Sequence, residues 1–166
     1  KPGLILANQG EGLDEYLAQV QTPTFTPDAD NVLPVLDDNW FGDDVVERFQ
    51  SFLRITFGEE HYKENLAFIE EAIGKDLRKY FTKDFYDYHV RRYKKRPIYW
   101  MFSSPKGTFN ALIYMHRYKP DTVGVVLNDY LRDFVTKLSA QLDHEKSMQI
   151  NGSEREKVAA TKAIQK

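Results

Sequence analysis

The sequence predicts an α+β fold that is mainly helical, with short helices around a central β-hairpin or small antiparallel sheet and a long helical hairpin at the end. Two apolar, aromatic and β-branched runs, residues 97–102 and 109–114, flank a polar link of Ser, Pro, Lys, Gly and Thr. That pattern is typical of a hairpin with a loop longer than two residues. Before and after the hairpin, apolar residues recur at the three-and-four spacing of helices.

The first two helices are predicted from their ends as well as from their apolar stripes. Asp43 or Asp44 can cap the first helix, whose apolar residues continue until Gly58 ends it. The second helix is expected from about Glu60 to Gly74.

Two shorter helices are expected next. The third begins near Asp76, and Thr82 can cap a fourth helix, which Pro97 ends. Three or four short helices therefore precede the hairpin.

A long amphipathic helix follows the hairpin. Asp121 or Thr122 can cap it, and one wide face is apolar before the sequence turns polar. A turn is indicated by Asn-Gly at residues 151–152, and Ser153 with Glu156 forms a capping-box pattern that begins another helix. Together these helices predict a helical hairpin or an antiparallel coiled coil.

These elements divide the chain into three parts. We expect an extended arm over residues 1–38, a globular domain of helices and hairpin over residues 39–145, and the start of a helical hairpin over residues 146–166.

The arm carries only weak patterns. A short strand over residues 3–7 and a short helix over residues 13–20 are expected, and residues 32–36 are expected to be extended and tucked into the core. Lys1 is not an initiator methionine, and no stop signal precedes Lys166. We therefore expect the chain to be a piece of a longer polypeptide.

Composition narrows the function classes. Apolar residues make up 42% and charged residues 29%, which is typical of a globular domain. The net charge is only −2, so any contact with a polyanion must depend on a local patch. The absence of cysteine excludes disulfides and thiolate chemistry and fits the cytoplasm. No apolar run is long enough to cross a bilayer, and we expect a cytoplasmic protein without membrane partners.

A dense group of positive charge precedes the hairpin, where five of the six residues 91–96 are Lys or Arg. Such charges repel one another unless an anion lies near, which favours contacts to nucleic-acid phosphates. A solvated helix end is the alternative, because helix C-termini favour cations. With one cation in the hairpin link and one after it, the candidate nucleic-acid-binding residues are Arg91, Arg92, Lys94, Lys95, Arg96, Lys106 and Arg117.

Aromatic residues accompany this group. Tyr93, Tyr99 and Trp100 could stack on bases, but both faces of the first strand are apolar, which favours packing in the core. We therefore expect Trp100 to be buried. The link at residues 103–107 could bind a phosphate through hydroxyl and amide groups, and its simpler role is to turn the chain.

Catalytic machinery is missing from the sequence. The four histidines lie far apart, and none has a second His or a Cys at zinc-ligand spacing. The acidic pairs at residues 37–38 and 43–44 could hold a divalent cation, but turn and N-cap roles explain them more simply. We predict no catalytic residue, no metal site and no cofactor site in this chain.

The hairpin resembles a signature of a known family. The strings KRPIYWMFSS at residues 95–104 and FNALIYMHRY at residues 109–118 resemble the PglX family, the large adenine-specific DNA methyltransferases of BREX phage-defence systems. The resemblance extends over residues 31–166, including residues 31–35, 40–41, 121–122 and 130–132.

The resemblance implies a role outside the chemistry. Members of the family hold the flipped adenine with an Asn-Pro-Pro-Tyr type motif and bind S-adenosylmethionine with a glycine-rich loop, and neither occurs here. The chain therefore looks like a noncatalytic region beyond the catalytic domain, which contacts double-stranded DNA and connects other domains of the parent chain. S-adenosylmethionine is implied for the parent alone.

Two function classes remain open. One is a DNA-contacting connector, for which the seven cations should converge on one open face. The other is a protein-interaction or scaffolding module, which pairing of the cations with Asp84, Asp87 or Asp121 would favour.

Overall fold

The computed structural model of the chain describes Ala18 and residues 25–165. The described chain is α+β and mainly helical, with a three-stranded antiparallel sheet and a long C-terminal helical hairpin, as the sequence predicted. The helices and strands in chain order are β1 (Val32–Pro34), α1 (Val45–Phe57), α2 (Tyr62–Ile73), α3 (Leu77–Lys83), α4 (Phe85–Arg92), β2 (Tyr99–Ser103), β3 (Asn110–Tyr114), α5 (Thr122–Val125), α6 (Arg132–Asn151) and α7 (Glu154–Ile164).

Shorter turns of helix join some of these elements. Two 3₁₀ turns cover Glu59–His61 and Met115–Arg117, and a π-helical segment covers Val126–Leu131. The described residues up to Val126 form one compact unit, and those from Leu127 form a second.

Two elements expected in the arm fall outside the description. The strand over residues 3–7 lies outside the described residues, and so does the helix over residues 13–20 except for Ala18, which is helical.

Two predicted helix ends are confirmed at glycines. α1 ends at Gly58 (φ 92°) and α2 at Gly74 (φ 70°), where φ is positive and glycine is favoured. The cap predicted at Thr82 is wrong. Thr82 lies inside α3, where its hydroxyl donates to the Arg78 carbonyl at 2.8 Å, and α4 begins only after Asp84.

The predicted hairpin is confirmed, and the arm adds a third strand to it. β2 and β3 pair antiparallel, with Tyr99 opposite Tyr114 and Ser103 opposite Asn110. β1 pairs antiparallel with the other edge of β3. The sheet order is therefore β1-β3-β2, and β2 is an edge strand.

The core lies where helices α1 and α3 meet the sheet. The arm contributes Val35 to this core, and both Val35 and its neighbour Leu36 are buried. The extended segment of the arm is thus tucked into the core, as predicted. The buried members of the cluster are Val35, Val45, Val46, Leu77, Phe81 and Leu112.

The prediction that Trp100 is buried is wrong. Its side chain is 44% exposed, although its partner Ile113 on the central strand is fully buried. Among the described strands, none pairs with the outer flank of β2. The Trp100 ring lies against that of Tyr118, also exposed, with 6.1 Å between ring centroids. The apolar pattern on both faces of this strand therefore overstates its burial, because the strand lies at the sheet edge.

A buried ion pair joins α1 to α3. The Asp44 side chain is fully buried, and its Oδ1 accepts from the backbone N–H groups of Val46 at 2.8 Å and Glu47 at 2.9 Å. Its Oδ2 lies 2.7 Å from Nη1 of Arg78, which also donates to the Leu36 carbonyl at 3.2 Å. Asp44 is therefore the N-cap of α1, one of the two residues predicted for that role.

The second unit contains the helical hairpin of α6 and α7. The predicted capping box is present, since the Ser153 N–H donates to Glu156 Oε2 at 2.8 Å. The two helices are tied together by a bond from Gln149 Nε2 to Thr161 Oγ1 at 3.0 Å. Among the described residues, no helix, α6 included, is long and apolar enough to span a bilayer.

Replacing Asp44 with Ala is expected to lower the free energy of unfolding by about 3–5 kcal/mol, because the Arg78 guanidinium then loses its buried partner and α1 loses its cap. Denaturant titration followed by circular dichroism measures this change. Asp76→Ala is the matched control, since Asp76 caps α3 from an exposed position, bonding Lys79 N–H at 2.8 Å, and should lose only about 1 kcal/mol. Equal losses in the two variants would contradict the role of the buried pair.

Candidate nucleic-acid interface

The cations at residues 91–96 lie in the last residues of α4 and in the tight turn that joins α4 to β2, a segment here called the basic turn. The N–H of Lys94 donates to the Arg91 carbonyl at 3.1 Å, and the N–H of Lys95 donates to the Val90 carbonyl at 2.9 Å. These two bonds are the Schellman arrangement that closes a helix C-terminus. A left-handed residue normally occupies this position, and here Lys94 (φ 51°) and Lys95 (φ 64°) are both left-handed.

This backbone is unfavourable for lysine. A left-handed conformation costs a residue with a Cβ about 1–2 kcal/mol, which is why glycine is usual at such a position. Two consecutive lysines in this conformation therefore store strain in the basic turn. Residues held in such strained conformations cluster at functional sites.

The basic turn is open to solvent. Each of residues 91–96 is exposed, and within the part of the chain that the structure describes none of the five cations lies within ion-pair distance of a carboxylate. Asp84, one of the acids that could have paired with them, lies 2.5 Å from Lys75 instead. Arg91 Nε donates only to the backbone carbonyl of Asp87, at 3.3 Å. The positive charge is thus concentrated and available to an anion.

The remaining two predicted cations do not join the basic turn in one cluster. Lys106 is exposed in the hairpin loop, at the opposite end of β2, and a strand of five residues spans about 17 Å. Arg117 follows β3 at the same end as the basic turn, but its guanidinium donates to the carbonyls of Asp28 at 2.8 Å and Ala29 at 3.2 Å. Arg117 therefore fastens the arm to the end of the hairpin.

The hairpin loop is held by its own hydrogen bonds. Ser104 N–H donates to the Phe109 carbonyl at 2.8 Å, and its hydroxyl accepts from the Phe109 N–H at 3.1 Å. Gly107 (φ 67°) donates from its N–H to the Ser104 carbonyl at 2.8 Å. The hydroxyl and amide groups considered as phosphate ligands thus act in turning the chain.

His89 anchors the basic turn to the sheet. Its ring is buried, and Nε2 accepts from the N–H groups of Ile98 at 3.1 Å and Tyr99 at 3.2 Å. Burial lowers the pKa of His89, and the two accepted bonds require the neutral ring. Sequence reasoning missed this role. The available signal was the place of His89 on the apolar stripe of α4, next to Phe85 and Tyr93.

Little in the described residues could hold a metal ion or a methyl-group donor. Within those residues no group of three or more His, Cys, Asp or Glu side chains lies where it could bind a metal. In the family that the hairpin resembles, a glycine-rich loop binds S-adenosylmethionine. Gly42 is the only glycine between β1 and α1, and the link from β3 to α5 contains none. Neither of these two strand-to-helix links is therefore glycine-rich.

Comparison with known proteins finds two relatives. The chain is 37% identical over 158 residues to the adenine-specific methyltransferase BrxX of Escherichia coli O9:H4 (strain HS), with 86% of this chain and 13% of that protein covered. It is 41% identical over 141 residues to the adenine-specific methyltransferase PglX of Lacticaseibacillus casei (strain Zhang), with 78% of this chain and 11% of that protein covered. No protein-family model matches the sequence.

The buried His89 predicts a loss of stability in acid. The unfolded chain binds a proton on this ring near pH 6.5, whereas the folded chain binds it only at lower pH. The free energy of unfolding contributed by His89 should therefore fall as the pH drops below about 6.5 and towards the lowered pKa. The measurement is urea unfolding at several pH values between neutral and acidic, for the chain and for His89→Gln.

The variant comparison is needed because Asp28 acts in the opposite sense. Burial, together with the neighbouring Asp30 carboxyl, raises the pKa of Asp28 to about 6, so protonation of Asp28 favours the folded state. Subtracting the His89→Gln curve isolates His89, and His144→Gln, which changes an exposed histidine of α6, serves as the control. If the free energy of unfolding of His89→Gln depends on pH as steeply as that of His144→Gln, the assignment to His89 is refuted.

The strain in the basic turn predicts a stabilising substitution. Lys94→Gly should be more stable than Lys94→Ala by about 1 kcal/mol, because both remove the charge and only glycine adopts the left-handed backbone freely. Thermal unfolding of the two variants side by side gives the difference. Equal stability would mean that the turn is not strained at Lys94.

Proposed function

Because this chain belongs to the family of adenine-specific methyltransferases that includes BrxX and PglX, and matches a segment of those proteins, we propose that it is a noncatalytic DNA-contacting and connecting module. Its parent would be an S-adenosylmethionine-dependent N6-adenine DNA methyltransferase that acts in phage defence. In this proposal the module grips the phosphates of double-stranded DNA and holds other domains of the parent chain in place.

The observation that carries the proposal is the basic turn. Five exposed cations without a carboxylate partner among the described residues occupy six consecutive positions, on a backbone that is strained at two of them. Like charges this close repel one another, and phosphate oxygens relieve that repulsion. The turn is also fixed at both ends, by the end of α4 and by His89, so binding would require little ordering of the chain.

The methyl transfer itself is assigned to other parts of the parent. The sequence has no Pro-Pro pair and no glycine-rich cofactor loop. In this proposal the chain positions the DNA: its contacts to phosphates fix the register of the duplex without reading the bases. The proposal places the chain in the cytoplasm, with which its lack of cysteine agrees.

A second function has its own supporting observation. Several large apolar side chains of α1 and α2 are exposed, with Phe57 at 50% and Phe68 at 72%. Exposed aromatic side chains are enriched where proteins bind one another. The alternative is therefore a protein-interaction or scaffolding module without direct DNA contact.

The test is a fluorescence-anisotropy titration of the chain with a short labelled duplex at several salt concentrations. Binding should weaken steeply with salt, and Arg92→Ala, Lys94→Ala and Lys95→Ala combined should reduce the slope of log K against log [salt] by about 2–3, equally for unrelated duplex sequences. The matched control combines Lys63→Ala, Lys79→Ala and Lys162→Ala, which remove three exposed lysines of other helices and should leave the slope nearly unchanged.

Two results would count against the DNA-contacting role. One is the absence of binding even at low salt, which would favour the scaffolding function. The other is an equal reduction of slope in both triple variants, which would mean that the attraction is general and not centred on the basic turn.

A further inference from the structure

A cleft opens beside the basic turn, between helices α3 and α4 and the start of β2. Its volume is about 350 Å³, which is within the range of small-molecule sites. Its lining includes four tyrosines, one histidine and one arginine: Tyr80, Tyr88, His89, Arg92, Tyr93 and Tyr99. One wall is thus almost entirely aromatic, and one member is a cation of the basic turn.

The aromatic wall is held in place by packing and hydrogen bonding. The His89 ring lies 4.7 Å from the Tyr93 ring and 5.5 Å from the Tyr99 ring, centroid to centroid. It also stacks on Phe85 at 5.7 Å, with 20° between the ring planes. Because two backbone N–H groups fix the His89 nitrogen, this wall exists before any ligand arrives.

The rim of the cleft has surface that the fold leaves open. The side chains of Tyr88 and Tyr93 are 52% and 43% exposed. Arg92 is exposed as well, and among the described residues no carboxylate lies within ion-pair distance of it. Aromatic surface and an available guanidinium therefore stand side by side.

These features together select a class of ligand. A flat aromatic ring gains by stacking on tyrosine, and a phosphate gains by a charge-assisted contact with arginine. An inorganic anion would leave the aromatic wall unused, and a neutral ring would leave Arg92 unused. A nucleotide, with a planar base joined to a phosphate, uses both.

We propose that this cleft holds one unpaired nucleotide of a DNA strand, its base against Tyr88 and Tyr93 and its phosphate on Arg92. The inference deepens the proposed function and rests on it, since the basic turn is what brings the phosphate backbone to the cleft. It adds that the module prefers duplex DNA with an unpaired base over duplex DNA that is fully paired.

The experiment uses the whole 166-residue chain and two labelled probes, a blunt duplex and the same duplex with a short 3′ overhang that carries 2-aminopurine. The overhang should raise the affinity about fivefold or more, and 2-aminopurine fluorescence should be quenched as it stacks. Tyr88→Ala should abolish both effects without changing blunt-duplex binding, and Tyr88→Phe, which keeps the ring, should restore them. Phe68→Ala, which removes an exposed aromatic ring from α2 outside this cleft, should behave as the unmodified chain.

The outcomes separate this inference from the proposed function. Equal affinity for both probes, or equal behaviour of Tyr88→Ala and Phe68→Ala, overturns the nucleotide cleft while duplex binding stands. Tyr88-dependent binding of free deoxyadenosine monophosphate without any duplex binding supports the cleft as a nucleotide site and overturns the DNA-gripping role. Competition of the free nucleotide with the overhang, in a chain that binds both duplexes, supports both.

Discussion

The buried carboxylate of Asp44 is the interaction on which the first unit depends. One oxygen accepts hydrogen bonds from two backbone N–H groups at the start of α1, and the other accepts one from the Arg78 guanidinium of α3. Arg78 also donates hydrogen bonds to two backbone carbonyls in the segment between β1 and α1, those of Leu36 and Asp38. A buried carboxylate is stable only when hydrogen-bond donors and a positive charge compensate for its loss of water. The ion pair of Asp44 and Arg78 therefore fixes α1, α3 and the segment before α1 relative to one another.

At the basic turn, the buried polar group that accepts backbone hydrogen bonds is a neutral histidine and not a carboxylate. His89 accepts two backbone N–H groups at the point where the chain enters the sheet, and its burial opposes protonation. A positive charge on His89 would add to the repulsion among the five cations of the adjacent basic turn. A neutral ring instead offers acceptors and aromatic surface, which lets the chain carry concentrated charge outside while the anchor beneath it stays uncharged.

The parts of the fold that the sequence predicts well are those whose conformation depends only on residues close together in the chain. Gly58 and Gly74 end their helices, and Ser153 with Glu156 begins another. Apart from the cap at Thr82, the features that sequence misses depend on residues distant in the chain or on a backbone conformation unusual for the residue type. Trp100 is exposed because its strand lies at the sheet edge, which its own pattern cannot reveal. Nothing local indicates that lysine, not glycine, would take the left-handed position at Lys94, or that His89 would serve as an acceptor. The cleft is likewise invisible in sequence, since its walls come from three separate elements.

The third strand of the sheet has a consequence for synthesis of the chain. The side chain of Asn31 bonds the carbonyl of Tyr114, which lies 83 residues further along. At ordinary rates of translation the two are made about 4–17 s apart. The short helices between them can form and pack on one another in that time, whereas the apolar end of the arm must wait unpaired for its strand partner. The sheet therefore cannot close before β3 is synthesised, and β3 follows all four short helices in the chain.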